Sequence, residues 1–267
     1  MRFPVGSPDV RVKLGDSISV WFSCGGASAV AAIKTVAIYG SIAKIRIMNN
    51  PVDEEDPDNI RFRLDVQDYL GFQIESVSSR HGTSAVEVWD KSKAMSFPHG
   101  APCTTKLKKE ARAEWESKNN SDWIVLGFTS DEIERSANFI KFERPNLLPV
   151  LGDLGMDKLD CFRFLHELGI KRPSIYDRGL PNANCVGCVK ATSPTYWNLV
   201  RREYPEIFKQ RAEQSRRLGV RLVRHKGQRL FLDELDPSAS GRKLESWDCS
   251  SFCSEWQNEL WDPLDPL

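Results

Sequence analysis

Seven cysteines give this 267-residue chain its clearest chemical potential. Two stand three apart in "NANCVGCVKA", at Cys185 and Cys188, where glycine and asparagine predict a turn. Cys103 lies 82 and 85 residues before them, and "DCSSFC" near the end carries Cys249 and Cys253. Soft thiolates in sets of three or four select iron–sulfur clusters or zinc, because both favour tetrahedral sulfur coordination. Cys103, Cys185 and Cys188 are the ligand candidates, with Cys253 or Cys249 as a fourth. The alternatives are reduced thiols without a ligand or a plain zinc staple. Cys161 falls in the apolar pattern of an amphipathic helix and reads as a small core residue.

A second candidate site is "SCGGAS", residues 23–28, a glycine turn directly after an apolar run. A turn of this kind at the carboxyl end of a buried strand leaves backbone N–H groups for a phosphate, and the helix after it adds its dipole. No Gly-Lys-Ser/Thr follows, so it is not a Walker A loop, and GxGxxG is absent too. An ordinary strand-to-helix turn explains the same residues. Lys106, Lys108 and Lys109 follow Cys103 at a helix start, where cations meet a phosphate or sulfate or form a solvated face. "DEEDPD" (53–58) is a cation loop or a solvated acidic stretch. His81, His99, His166 and His225 show no ligand spacing, although His99 is near Cys103.

The elements that would hold these residues alternate. Ile18–Phe22 reads as a buried strand, followed by an alanine-rich helix. "AKIRIMNN" (43–50) is a second strand, and "RFRLDVQDYLGF" (61–72) a helix leading to a short strand, "QIESVSS" (73–79). A polar loop region reaches Cys103, and helix begins near Thr104. "DWIVLGF" (122–128) is another strand, and "MDKLDCFRFLHELGI" (156–170) an amphipathic helix stopped by Gly169. The order predicts an α/β fold with a mostly parallel sheet flanked by helices. After residue 181 the pattern turns helical and basic, then gives a hairpin over 219–235 and an irregular tail. The expected division is a nucleotide-binding domain over 1–180 and a cysteine-rich extension over 181–267.

Composition narrows the function classes. Formal net charge is zero and 40% of residues are hydrophobic, so the totals imply no strongly charged partner. The first twenty residues lack signal-peptide character and no apolar run reaches membrane-spanning length, which predicts a cytoplasmic chain without a membrane partner. Cysteines in that compartment are thiols or ligands rather than disulfides. The basic stretch 201–229, with Tyr196, Trp197 and Tyr204 nearby, is a candidate nucleic-acid surface or an amphipathic surface helix.

"SCGGAS" resembles the "SGGxDS" loop of the adenine nucleotide α-hydrolase-like (PP-loop) superfamily. Ser23, Gly25 and Ser28 match its first Ser, second Gly and last Ser, and Gly26 lies between. Cys24 replaces the first Gly, and Ala27 stands where Asp is usual. "CTTKLKK", "LGFTSDEIER" and "PSIYDRGLPNANCVGC" resemble segments of the PAPS (phosphoadenosine phosphosulfate) and APS (adenosine phosphosulfate) reductases and DndC-like sulfur enzymes, in phage or prophage form. The resemblance spans roughly residues 18–190. It implies nucleotide contacts at Ser23, Cys24, Gly25, Gly26, Ser28, Lys106, Lys108, Glu132 and Arg135. It also implies a [4Fe–4S] cluster (zinc as the alternative) and a nucleophilic Cys249, from "DCSSF" set against that family's "ECGLH". The expected function is an Fe–S enzyme acting on PAPS or APS with a thiol reductant protein. The alternatives are ATP-dependent sulfur transfer to a nucleic acid, DndC-like or tRNA-thiolation-like, and a non-catalytic zinc-stapled nucleic-acid-binding protein.

Overall fold

The computed structural model describes residues 9–97, 100–242 and 244. They fall into two compact units. The first takes the described residues of 1–51 together with 57–77 and 112–174; the second takes 52–56, 78–111 and the described residues from 175 onward. The chain passes from the first unit to the second for the last time at 174/175. The second unit also claims two earlier segments.

In the first unit, five strands form one sheet: β1 (Ser17–Trp21), β2 (Lys44–Asn49), β3 (Ile74–Ser76), β4 (Trp123–Val125) and β5 (Leu147–Leu148). The order is β3-β2-β1-β4-β5 and every pairing is parallel. The expected α/β architecture is therefore present. β1 is central and nearly all buried, which explains why its residues are apolar apart from Ser17 and the buried Ser19. α1 (Gly26–Tyr39) follows it, and its alanines allow close packing: Ala29, Ala31 and Ala32 are fully buried. α2 (Asp58–Leu70) ends at Gly71, whose φ of 63° is a left-handed C-cap.

The segment read as a polar loop contains α3 (Ala85–Ser92) in the second unit. Its Ser84 Oγ accepts from the Glu87 N–H at 3.2 Å. Thr104–Lys109 then winds as a π-helix before α4 (Glu110–Lys118). α5 (Ile133–Phe142), which the sequence pattern did not separate, precedes β5 and the short α6 (Val150–Asp153). α7 (Lys158–Glu167) is the expected amphipathic helix, capped by Asp157.

After the single turn α8 (Ser174–Asp177), the second unit adds α9 (Pro194–Glu203), α10 (Pro205–Arg217) and an antiparallel pair, β6 (Val223–His225) and β7 (Gln228–Leu230). Its core gathers Trp89, Leu107, Val186, Trp197, Val200 and Leu232. Among the described residues, no helix is long and apolar enough to cross a membrane.

Candidate functional site

The chain leaves β1 for β2 and β3 on one side, then crosses to β4 and β5 on the other. β1 and β4 thus flank the point where strand order reverses. In open parallel sheets, the crevice beyond the carboxyl ends of two such strands receives ligands. Residues 22–28 leave β1 at this place, and 126–129 leave β4. The two segments touch: a Cβ on Gly127 would lie 2.7 Å from the Ser28 backbone nitrogen and 2.9 Å from its Cα. Only glycine permits that approach.

Ser28 organises the turn. Its Oγ accepts from the Ser23 N–H at 3.1 Å, is 3.2 Å from the Ser23 hydroxyl, and donates to the Gly25 carbonyl at 2.9 Å. Cys24 adopts a left-handed φ of 57°, and its buried Sγ accepts from Asn49 Nδ2 at 3.4 Å. A non-glycine residue in that region is unusual, and here it stands where the resembled loop has glycine. Gly25 is the N-cap of α1 and no side chain caps the helix. The first turn has no acidic residue, so the positive end of the helix dipole is not offset by a carboxylate there. Gly26 lies directly beneath Phe162 of α7, since a Cβ there would come within 2.5 Å of that ring. The structure therefore assembles Ser23, Cys24, Gly25, Gly26 and Ser28, with Gly127 and Asn49 as additions that sequence reasoning did not assign. Gly127 was visible as the glycine of "LGFTSDE" directly after a strand.

Glu132 and Arg135 do come together, yet with each other: Arg135 donates to Glu132 Oε1 and lies over the Phe128 ring. The second oxygen of Glu132 accepts from the Thr129 N–H and hydroxyl, closing a capping box. In the second unit, Lys108 pairs with Glu55 at 3.2 Å, with both side chains largely covered. The Lys106 carbonyl accepts from Ser79 Oγ at 2.6 Å.

The thiol turn lies in the second unit. Gly187, at φ 68°, allows the chain to reverse between Cys185 and Cys188. The Val186 N–H donates to the Glu54 carbonyl at 2.8 Å, and the Cys188 N–H to the Tyr196 hydroxyl at 2.9 Å. Tyr196 is deeply buried, and burial first, then the two neighbouring thiols, pushes its pKa well above the usual phenol value. Cys185 is half-buried and Cys188 buried; both line a small pocket with Ile175, Leu180, Asn182, Asn184 and Tyr196. Cys103 packs against the same core. No group of three or more His, Cys, Asp or Glu among the described residues is close enough to hold a metal ion. His99, Cys249 and Cys253 lie outside those residues. The donor chemistry at the turn is right for a soft metal, and the described part of the chain does not complete the ligand set.

Other expectations have structural outcomes. Cys161 is a core residue whose thiol burial pushes up to about 12. The acids of 53–58 are neither a cation loop nor simply solvated. Glu54 accepts from Ser84 Oγ and the Ala85 and Val86 N–H groups, so it caps α3. Asp56 accepts from the Tyr204 hydroxyl at 2.5 Å, and Asp58 pairs with Arg61. His81 sits against Glu110 at 2.7 Å. Tyr196 and Trp197 are interior residues, so they offer no stacking surface for bases. Much of the basic stretch is also internally engaged: Arg201 donates to the carbonyls of Leu232 and Leu235, Arg216 pairs with Asp233 and Glu234, and Arg217 pairs with Asp90.

The fold is α/β, and the Ser23–Ser28 turn stands at its strand-order reversal. No family model matches the chain, and no curated protein matches it. Among solved structures it is similar to the U34-tRNA thiolase NcsA from Methanococcus maripaludis with its [4Fe-4S] cluster. That similarity has a TM-score of 0.41 and 12% identity, covering 79% of this chain and 74% of that one.

Proposed function

We propose that the protein is an adenine-nucleotide-binding enzyme of sulfur chemistry, with ATP-dependent sulfur transfer as its reaction class. The observation that carries the nucleotide part is the Ser23–Ser28 turn at the strand-order reversal, held against Gly127. The α1 N-terminus would take the negative charge of the phosphates, and the Ser23 hydroxyl is exposed beside it. Cys185 and Cys188 would hold the sulfur-ligated group, a [4Fe–4S] cluster or zinc, with Cys103 and the cysteines of 249–253 as candidates to complete it. Bound there, a cluster would supply a site for labile sulfur; zinc would supply a staple or a Lewis acid.

Transfer ranks ahead of sulfonucleotide reduction because residues specific to the reductase resemblance have other work in this chain. Glu132 caps its own turn, Arg135 pairs with Glu132 and Lys108 pairs with Glu55. What is left, the phosphate turn and the thiol pair, serves either reaction. The acceptor would be a nucleic acid, as the sequence resemblance to DndC-like enzymes implies.

The test uses anaerobically purified full-length protein. Iron, zinc and acid-labile sulfide are measured per chain, and AMP formation from ATP with an RNA or DNA acceptor is compared with sulfite release from PAPS or APS. Iron with sulfide and ATP-dependent labelling of the acceptor supports transfer. Sulfite release instead establishes reduction, and zinc without either activity establishes the non-catalytic module.

A further inference from the structure

α10 places one cation where its helical spacing calls for an apolar residue. Phe208, Arg211, Ala212 and Ser215 recur at the intervals of a single helix face, and all four are buried. Arg211 is only 2% exposed. Its guanidinium lies over the Trp89 ring, 4.3 Å from the centroid, and Nη1 donates to Gln214 Oε1 at 2.7 Å. Among the described residues, Nε is buried with no hydrogen-bond partner. That nitrogen faces the thiol turn: a Cβ on Gly187, between the two cysteines, would come within 3.6 Å of it.

A buried guanidinium stays protonated, and leaving it short of hydrogen bonds is costly unless an anion offsets it. Burial pulls its pKa below the usual range, opposed by the field of Glu54, Cys185, Cys188 and Tyr196. Glu54 is already committed to capping α3 through three hydrogen bonds. The Tyr196 hydroxyl accepts from the Cys188 N–H, and a phenol carries no charge at neutral pH. The Glu54 carboxylate supplies part of the offset, and the two cysteines of the turn are the other groups beside the cation that can carry negative charge.

We propose that Arg211 is a positioning counter-charge for the Cys185–Cys188 turn, which therefore takes an anionic, thiolate-ligated centre rather than two neutral thiols. This rests on the reading of that pair as ligands. Arg211 acts through the cysteines: it favours the thiolate-bound group by its fixed charge and by the donor at Nε.

The experiment compares wild type, Cys185→Ser, Arg211→Lys, Arg211→Met and Arg211→Gln, each purified anaerobically. Iron and zinc retention is followed during an EDTA challenge, alongside melting of the metal-free chains. Loss of a supporting partner of this kind weakens metal binding about tenfold to a hundredfold, and that is expected for the Met and Gln variants, with Lys close to wild type. The metal-free Met variant should melt no lower than the metal-free wild type, because an apolar residue replaces a buried charge that Glu54 offsets only in part. Should Met fail to fold, Gln, which keeps a donor, reads the same loss. If wild type carries no metal, or Cys185→Ser retains it fully, the ligand-pair reading itself has failed. If Cys185→Ser loses metal while Met and Gln hold it as wild type does, or Lys loses it as they do, the role of Arg211 is overturned. A metal-free Met variant with markedly lowered melting also overturns it, in favour of a packing role.

Discussion

Gly127→Ala is the most specific perturbation of the phosphate turn. The new methyl carbon would lie 2.7 Å from Ser28 N, 2.9 Å from Ser28 Cα and 3.1 Å from Ala27 C. All three are backbone atoms of the turn and first turn of α1, so no side chain can rotate away. Either β4 or the start of α1 must move, and the Ser28 hydroxyl that organises the turn moves with it. Overpacking of this sort costs about 1–3 kcal/mol, which for a chain of this size lowers Tm by about 2–5 °C. Gly152→Ala is the control, since its Cβ would meet only Pro149 at an ordinary 3.7 Å. Differential scanning fluorimetry with and without ATP reads both effects. In wild type, nucleotide at a hundred times Kd adds about 2.7 kcal/mol by mass action. Gly127→Ala should melt lower and lose most of that rise, while Gly152→Ala keeps it. A Gly127→Ala protein that melts as wild type and responds fully to ATP would refute the link between this contact and the cradle.

Three further outcomes are expected. Arg61 holds the Asp58 carboxyl down to about 2 by hydrogen bonding, against burial and with help from the Ser174 N–H. A lowered folded pKa gives stability that is present above the ordinary 3.8 and lost as pH falls through 2; after allowance for solvent screening this is about 1 kcal/mol. Arg61→Gln should flatten acid denaturation curves between those pH values. Cys24→Gly should be more stable than Cys24→Ala by about 1 kcal/mol in urea melts, because alanine keeps the left-handed strain that glycine lacks. With its thiol buried and raised to about 12, Cys161 should resist iodoacetamide at pH 8 in the native protein, as peptide mass mapping would read.

The parts legible from sequence were those in which local pattern and burial agree. β1 and β4 are mostly apolar, β2 alternates Lys44 and Arg46 with isoleucines before it is buried, and α7 shows its stripe and its glycine stop. β5 is two residues long, too short to show a period. α3 did have a signal, "SAVE", a serine three residues before a glutamate, but the stretch is short and flanked by polar residues. The acidic run 53–58 could not be resolved locally, because its capping and tyrosine partners lie 30 to 148 residues away. Arg211 was hidden for the opposite reason. Its charge placed it with the solvated basic residues, although its spacing with Phe208, Ala212 and Ser215 put it on the buried face.

Direct titration of ATP into the purified chain by calorimetry, with inorganic pyrophosphate as competitor, tests the central claim. One nucleotide should bind per chain, pyrophosphate should displace it, and Gly127→Ala should weaken it at least tenfold, the equivalent of about 1.4 kcal/mol. Absence of binding at millimolar ATP, or binding unaffected by both pyrophosphate and Gly127→Ala, would contradict the assignment of the Ser23–Ser28 turn as a phosphate cradle.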